Sequence, residues 1–307
     1  MENMNPKTLN EIFVNRLDGE IEKVAQETGQ YIRTKLRENA FSRKIINPQY
    51  VTKADLQRTT QNDQLVKIVD IEPDAGAMTI SLRGQPDAQY VEGNRAQISF
   101  FGISSYEFQK TEEELLAYEM PITELVERNA VKEIMHIEDT AFMTGIAATI
   151  TSSGKTTNYT SAASGVMELP MLTKLFNLLE GSSTGLNPLV TEFVLMNQAD
   201  YNKFATIPAT QIGSGAASEQ YVNGFKYATL LGKKFVTTVK GDLVPEGTMY
   251  AFAAQEFFGK FYVLNDVKFW IEKKRNLIRW SAYETLGMGF INTQAVAQCI
   301  WLNPKQS

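Results

Sequence analysis

The stretch from Thr111 to Ile150 constrains the fold more than any other part of the chain. Pro121 interrupts it, because proline has no amide hydrogen and clashes with the preceding helical turn. Beyond Pro121, apolar residues recur at steps of three and four and predict one face of a helix: Ile122, Val126, Ala130, Ile134, Ile137, Ala141 and Gly145. The predicted opposite face carries Glu124, Glu127, Arg128, Lys132, Glu133 and Asp139.

This pattern predicts a single helix of roughly seven turns and about 40 Å, whereas an ordinary globular helix has about three turns. A rod of this length that is apolar on one face suits a spine on which a sheet lies. Charged residues at every turn exclude a membrane span.

Composition narrows the class of protein further. The 307 residues include 43% apolar ones, enough for a sizeable core. A net charge of −5, with both signs mixed along the chain, weighs against a dedicated duplex-DNA binder and leaves only weak contact with nucleic acid open. No signal peptide or uncharged span occurs, so we expect a reducing cytoplasm and no membrane association.

The single cysteine and single histidine exclude several kinds of site. Cys299 cannot form a disulfide or a cysteine metal site within one chain, and its apolar neighbours predict an inert core thiol. His136 lies inside the long helix, where we expect it on the surface.

The N-terminal part is predicted to be an arm. Thr8 to Glu38 shows helical spacing of apolar residues, in one helix or two. From Tyr31 to Arg58 basic residues dominate. Two interpretations stay open for that segment: a solvated, extended arm, or an arm lying on an acidic neighbour or facing nucleic acid.

The period changes to two between Asp63 and Phe108, which predicts strands. The predicted strands cover Leu65 to Ile71, Ala77 to Arg83 and Ala96 to Phe101, with a turn at Pro73 to Gly76. This excursion has too few large apolar residues for a core of its own, and an isolated hairpin is marginal in water. We therefore expect it to lie on a neighbouring subunit.

The residues after the long helix are predicted to form a mixed α/β region. We predict a helix at Leu169 to Leu179, a strand at Glu192 to Met196, and a helix from Gln198 capped by Asn197. The later predicted strands are Thr229 to Val239, Met249 to Ala253, a hairpin of Val267 to Glu272 with Leu277 to Tyr283, and Ala295 to Leu302.

Motifs that carry chemistry are missing from the sequence. Gly154-Lys155-Thr156 lacks the first glycine of a phosphate-binding loop, since position 149 is Thr149. Gly287-Met288-Gly289 lacks the third glycine of a dinucleotide motif, since position 292 is Asn292. We predict no catalytic, cofactor-binding or metal site, and therefore a protein that is not an enzyme.

The order of elements resembles that of tailed-bacteriophage major capsid proteins with the Johnson, or Hong Kong 97-like, fold. Three segments carry the resemblance: IEDTAFMTG from Ile137 to Gly145, EFVLMNQADYNKF from Glu192 to Phe204, and IRWSAYETLGMGFINTQAVAQCIW from Ile278 to Trp301. It covers nearly the whole chain. The resemblance implies an α+β fold with an N-terminal arm, an extended β-hairpin loop, a long spine helix, and peripheral and axial domains.

The domain boundaries follow from the same resemblance. The order is an N-terminal arm, an extended loop, the spine helix with part of the peripheral domain, the axial domain, the long peripheral hairpin, and a strand returning to the axial domain. The corresponding ranges are 1–58, 59–108, 109–184, 185–262, 263–290 and 291–307.

The implied function is self-assembly into hexamers and pentamers of an icosahedral shell that encloses the double-stranded DNA of the phage. Implied partners are many copies of the chain, a separate scaffolding protein, a portal, decoration proteins, and packaged DNA in weak non-specific contact. The shell would assemble in the host bacterial cytoplasm and reside in the virion. The residues expected at contacts between subunits are Arg33, Arg43, Lys44, Arg83, Arg95, Lys273, Lys274, Arg275 and Asn276. For the turn Lys273 to Asn276 a second interpretation stays open, an exposed hairpin tip that only bears charge.

Two departures from the family pattern shape these expectations. Some members crosslink an extended-loop lysine to an asparagine near the hairpin tip, where Asn276 stands here. From Ile68 to Gln109 this chain has no lysine, only Arg83 and Arg95, so we predict a non-covalent shell. The arm begins almost at Met1, so we expect scaffolding, if needed, to be a separate protein.

Three alternatives stay open. The first, within the same fold, is an encapsulin-type nanocompartment, which the helical pattern at Thr8 to Glu38 supports. The second is a cytosolic α/β enzyme with an unrecognised site. The third is a tail or baseplate protein.

Overall fold

The computed structural model describes residues 40–301, except 60–62, 74–77, 86–87, 89, 91, 118–121, 160–167, 182–188, 204–228 and 231. This part of the chain is a mixed α+β structure. Its helices are α1 Ser42–Ile45, α2 Glu112–Ala117, α3 Ile122–Ser153, α4 Leu169–Glu180, α5 Gln198–Asn202 and α6 Gln255–Phe258.

Two sheets organise the described residues. A seven-stranded sheet has the order β1-β11-β12-β4-β3-β2, with β5 also paired to β12. Its strands are β1 Gln49–Tyr50, β2 Gln57–Arg58, β3 Leu65–Ile71, β4 Asn94–Ser104, β5 Phe108–Thr111, β11 Lys260–Lys274 and β12 Leu277–Gly289. A six-stranded sheet has the order β6-β13-β10-β7-β9-β8. Its strands are β6 Thr156–Asn158, β7 Thr191–Asn197, β8 Thr229–Leu230, β9 Lys233–Thr238, β10 Thr248–Ala253 and β13 Val296–Ile300.

The spine helix α3 joins the two sheets. It has 32 residues, which corresponds to about 48 Å. It therefore runs past the predicted end at Ile150, through Ser153. Its buried side chains belong to one large apolar cluster that also includes residues of both sheets, such as Trp280 in β12 and Val296 in β13.

The predicted faces of this helix are wrong at two positions. Asp139, assigned to the polar face, is fully buried, and Ile137, assigned to the apolar face, is 40% exposed. The buried stripe instead passes through Met135, Glu138 and Phe142. Apolar periodicity misplaced it because two buried positions carry carboxylates, which the apolar pattern does not count.

An aromatic cluster holds α3 against the end of β12. The Phe142 ring lies 5.5 Å from the Phe290 ring and 6.1 Å from the Phe41 ring, both in edge-to-face geometry. Gly145 leaves room for this packing, because a Cβ there would lie 2.1 Å from Cε2 of Phe290. The sequence Glu-Asp-x-x-Phe-x-x-Gly thus has a packing reason for its last two members.

The long hairpin of β11 and β12 alternates as strands with one covered face do. Phe269 and Ile271 are buried, whereas Trp270 between them is 61% exposed. Both strands extend well beyond the predicted limits of the hairpin, by seven residues at the start of β11 and six at the end of β12.

The extended loop is built from β3, β4 and the residues between them. Two of its three predicted strands are confirmed, and β4 is longer than predicted. The strand predicted from Ala77 to Arg83 is wrong over the described residues 78–83, which lie in no strand. Their alternating apolar side chains are exposed instead, including Met78, Ile80 and Leu82.

Several local predictions are confirmed. α4 lies where a helix was predicted, and β7 and β10 match their predicted strands within a residue or two at each end. The Asn197 side chain caps α5 by accepting a hydrogen bond from the Ala199 amide at 2.9 Å. The predicted strand from Thr229 is interrupted near Gly232, which has a φ of 75°.

Three further predictions concern the last strand, the N-terminal helical pattern and the absence of a membrane span. The last strand is shorter than predicted, since Thr293–Ala295 form a 3-10 turn before β13. The helical pattern at Thr8 to Glu38 lies outside the described residues. No helix in the described ranges is long and apolar enough to cross a membrane.

Candidate functional site

The end of the N-terminal arm is anchored in the core. Phe41, Ile45 and Ile46 are buried, and all three belong to the main apolar cluster. The solvated arm that the sequence left open is therefore wrong for residues 40–46. Beyond them the arm leaves the core, and β1 pairs in parallel with β11 at Tyr262 and Val263.

Arg43 is the centre of a buried ion network. Its Nε lies 3.0 Å from Oε1 of Glu138 on α3, and its Nη2 lies 3.0 Å from Oε2 of the same residue. The same Nη2 also donates to Oε1 of Glu284 on β12. The Arg43 and both glutamate side chains are almost fully buried, so we correct its assignment to a contact between subunits.

A second carboxylate continues the network along α3. Asp139 Oδ1 accepts a hydrogen bond from the Ser42 amide at 3.0 Å, and its Oδ2 accepts one from Lys240 Nζ at 2.7 Å. Ser42 Oγ donates to Glu138 at 2.8 Å. One turn of the arm is thus held by two adjacent carboxylates of the spine helix and by a carboxylate of the long hairpin.

Burial shifts the protonation of this cluster. Desolvation, followed by repulsion from Glu138, raises the pKa of Glu284 to about 8, although Arg43 opposes the change. Desolvation also raises the pKa of Glu138. Burial works to lower the pKa of Arg43, but its two carboxylate partners outweigh that effect and raise it.

Burial therefore favours the protonated form of Glu284 far more than it would for an exposed glutamate. Its Oε2 has no hydrogen-bond partner among the described residues, and neither has Nη1 of Arg43. The network can fix the arm against the spine helix and the hairpin. It cannot act as an open reaction site, because its charged atoms are shielded from solvent.

The side chains that could react or bind a metal elsewhere in the described chain form no reactive site. Cys299 is fully buried, and burial raises the pKa of its thiol to about 11, which confirms the predicted core thiol. His136 lies on the helix surface as predicted, with Nε2 3.1 Å from Oδ2 of Asp242. No group of three or more potential metal ligands occurs within the described ranges.

The remaining predicted contact residues are scattered over the surface. Lys44 is exposed beside a cleft of about 430 Å³. Arg83 is exposed in the extended loop, and Arg95 Nε lies 3.0 Å from Asp70 Oδ1 across β3 and β4. Arg33 lies outside the described residues. The structure therefore brings no single site together from these residues.

The tip of the long hairpin presents four predicted contact residues. Lys274, Arg275 and Asn276 are exposed, and Arg275 has a φ of 60°. Lys273 Nζ instead lies 3.3 Å from Oε2 of Glu112 in the same chain. The Asn276 carbonyl accepts a hydrogen bond from the Glu112 amide at 2.8 Å, which fixes the tip against α2.

Several apolar side chains of the extended loop are exposed. In β3, Leu65 and Ile68 are each 37% exposed, and further along the loop Met78 and Ile80 are half exposed. Large exposed apolar patches mark interaction sites in soluble proteins, so these side chains are candidates for a contact surface.

Sequence reasoning missed Glu138, Asp139 and Glu284 as functional residues. The available signal was a pair of adjacent carboxylates between Met135 and Phe142, in a stretch that otherwise continues a buried face. Their partner Arg43 stood among many basic residues of the arm, and nothing in that segment distinguished it.

No protein-family model matches the chain, and no curated protein matches its sequence. Solved structures do match its fold. The capsid of the myovirid phage XM1 is 13% identical and has a TM-score of 0.52, with 78% of this chain and 86% of that chain covered. The capsid of a native GTA particle is 12% identical with a TM-score of 0.57, and the match covers 85% and 89% of the two chains.

A virus-like particle from Pyrococcus furiosus is similar to the same extent. It is 12% identical with a TM-score of 0.54, and the match covers 90% of this chain and 99% of that chain. The predicted fold class is confirmed: the chain has the α+β, Hong Kong 97-like capsid fold.

Proposed function

We propose that the chain is the major capsid protein of a tailed bacteriophage. Copies would assemble into hexamers and pentamers of an icosahedral shell around double-stranded DNA. The single observation that carries the proposal is the extended loop, whose apolar side chains Leu65, Ile68, Met78 and Ile80 are uncovered in one chain. The shared fold with the capsid of phage XM1 supports it.

Assembly would bury the apolar side chains that a single subunit leaves exposed. Neighbouring copies would cover the loop. Each interface contributes a modest free energy of association, and the many interfaces of a closed shell together make it stable. The role is structural rather than catalytic, in agreement with a buried network that shields its charged atoms.

We extend the proposal to partners and location. The shell would form in the host bacterial cytoplasm with a separate scaffolding protein and a portal, accept decoration proteins, and end in the virion. Its contact with packaged DNA would be weak, because the net charge of −5 provides little attraction to phosphates.

The proposed division into arm, extended loop, spine, axial and hairpin segments keeps the boundaries given above. The two sheets are compatible with a peripheral and an axial body: strands β7 to β10 lie in the six-stranded sheet, and the long hairpin lies in the seven-stranded one.

A second candidate is a nanocompartment shell. The virus-like particle from Pyrococcus furiosus is matched over 99% of its own chain, which favours this alternative specifically. Both candidates predict a closed shell, and they differ in its size and contents.

Electron microscopy of the expressed chain tests both candidates. Closed particles of many tens of nanometres, or hexamers and pentamers that close on addition of scaffolding protein, support the capsid. Small uniform shells that form from the chain alone support the nanocompartment. A monomer that stays monomeric at high concentration overturns both.

A further inference from the structure

The N-terminal arm crosses the seven-stranded sheet from one edge to the other. Its strand β1 lies at one edge, beside β11, and its strand β2 lies at the opposite edge, beside β3. The residues between them, 51–56, therefore pass over the strands β11, β12, β4 and β3. We call residues 47–58 the strap.

The strap lies on the face of the sheet that is opposite to the main apolar cluster. Phe261 and Val263 belong to the main cluster, whereas Tyr262 between them belongs to a second, smaller cluster. Successive side chains of a strand point to opposite faces, so the two clusters lie on opposite sides of the sheet. The second cluster combines three buried side chains of the sheet with two half-buried side chains of the strap: Ile98, Phe100, Tyr262, Val51 and Leu56.

The second cluster lies at the base of the extended loop. Ile98 and Phe100 belong to β4, the strand that continues into the loop. On β3, Lys67 Nζ lies 3.9 Å from Oδ1 of Asp55 in the strap, and β3 also pairs with β2. The strap therefore contacts both strands of the loop where they leave the body.

The strap has little slack. Backbone pairings place Gln49 and Gln57 at the two ends of one row that crosses the sheet. Five strand spacings make this row about 24 Å long in a flat sheet. Along the strap the same two residues are eight steps apart, and the 3-10 turn Lys53–Asp55 shortens that path to about 22 Å. The length of the strap thus limits how far the sheet beneath it can flatten.

The strap is held far less firmly than the end of the arm. β1 and β2 pair over two residues each, and the strap residues 52–58 are exposed except for the half-buried Leu56. Phe41 at the arm end is 2% exposed and belongs to the main cluster. Segments with few buried apolar contacts open at a lower free energy than the core does. The strap can therefore lift while the arm end stays in place.

We propose that the strap is a conformational device that sets the angle of the extended loop relative to the body. In its closed position it keeps the sheet curved and holds the loop at one angle. When it lifts from the second cluster, with the arm end still anchored at Arg43, the sheet flattens and the loop moves to another angle. This inference concerns the single subunit and goes beyond the proposed self-assembly.

Lengthening the strap tests the proposal. A Gly-Ser dipeptide inserted between Lys53 and Ala54 adds about 7 Å of chain and removes no side chain. Nitroxide labels on Asn94→Cys in the loop and Val239→Cys in the body, both exposed positions, report the distance between the two parts by double electron–electron resonance. The buried Cys299 stays unlabelled. We expect the width of the distance distribution to at least double, because the slack lets the loop take several angles.

The matched control lengthens the chain beyond the two strands of the loop. The same dipeptide inserted between Gly84 and Gln85 adds the same length outside the strap. The distance distribution should then stay as narrow as in the chain without an insertion.

Exchange of backbone amide hydrogens checks the lifting. In the chain without an insertion, the Val51 amide, which donates to the Val263 carbonyl, should exchange at least a hundredfold faster than the Ile46 amide, which donates to the Ser42 carbonyl. With the lengthened strap, the amides of β3 and β4 should exchange at least fivefold faster, and those of β10 and β13 should keep their rates.

Three results would overturn the proposal. The first is a distance distribution that is unchanged by the longer strap or broadened equally by the control. The second is equal exchange at Val51 and Ile46, since the strap would then not move separately from the arm end. The third is equal acceleration in both sheets, since the strap would then stabilise the whole fold rather than the loop. All measurements use the unassembled subunit, so a failure to form shells would count against the proposed function alone.

Discussion

At the scale of single residues, the anchoring of the arm depends on charges buried together. Arg43 lies between Glu138 and Glu284, and removing water from an arginine and its carboxyl partners costs free energy that their attraction only partly returns. Such a network therefore adds little net stability. It does make any other position of the arm costly, because each member would be left buried without its partner.

Replacing Arg43 should show how much stability is lost when its buried glutamate partners have no cation. Arg43→Met leaves two buried glutamates without their cation, and we expect the unassembled subunit to lose about 3–5 kcal/mol in its free energy of unfolding. Urea denaturation measures it. Lys44→Met is the control, because the Lys44 side chain is exposed one residue away; equal losses for the two variants would contradict the role of Arg43.

The raised pKa of Glu284 predicts a pH dependence of stability. The folded state holds the proton up to about pH 8, whereas an ordinary glutamate releases it near 4.5. Stability from this group is thus fully present below about pH 4.5 and is lost as the pH rises through 8. Urea unfolding of the unassembled subunit from acid to mildly alkaline pH should show a decline of a few kcal/mol.

Glu284→Gln should reduce that decline, because the amide resembles the protonated acid at every pH. Some slope should persist, since the pKa of Glu138 is raised as well. Glu272→Gln, which changes an exposed carboxylate on the same hairpin, should keep the full decline. An unchanged slope in Glu284→Gln would refute the assignment.

Periodicity in the sequence could not reveal these charged residues. Asp139 was placed on the polar face of α3 because a carboxylate is normally exposed. Its burial depends on Ser42 and Lys240, which lie about a hundred residues away in the chain. A charge is buried when distant partners meet it, and a single sequence does not show which partners those are.

At the scale of elements, sequence rules predicted correctly those elements whose stabilising contacts lie within the element itself. The cap at Asn197 and the helix α4 followed from their own residues, because capping and amphipathic spacing are local. The strand predicted from Ala77 to Arg83 failed because a strand requires a partner edge, and no described strand pairs with residues 78–83. The order of elements, read together with the resemblance, still identified the fold.

The turn at the tip of the long hairpin gives a test at this scale. Arg275 adopts a φ of 60°, a conformation that glycine reaches without the penalty of a Cβ. Arg275→Gly should stabilise the unassembled subunit by about 0.5–1 kcal/mol. Lys274→Gly, one residue earlier in a β conformation, should destabilise it. Thermal unfolding of both variants checks the opposite signs.

At the scale of the whole molecule, the described chain has two parts. The body contains the main apolar cluster, and the projection is the outer part of the extended loop. The main apolar cluster includes the arm end, the spine helix and both sheets, whereas the outer part of the extended loop leaves its apolar side chains exposed. The fold is thus shared with known capsids, and the sequence alone could not show how copies contact one another.

The shell should be held without covalent bonds. The extended loop has no lysine between Ile68 and Gln109, and arginine cannot replace lysine as a nucleophile. Assembled particles boiled in denaturant should run as a single band of the monomer's mass. A ladder of covalent oligomers in reducing conditions would contradict this prediction.

Strand β4 belongs to the body at one end and to the projection at the other. Residues from Phe100 to Ser104 pair with β12, and those from Asn94 to Ser99 pair with β3. An unbroken strand has no hinge, so the projection acts as a lever fixed to the long hairpin. Over about 20 Å, a rotation of a few degrees at the body displaces the far end by about an ångström. A change in the twist of this one ribbon would therefore move the point at which the projection reaches a neighbouring copy.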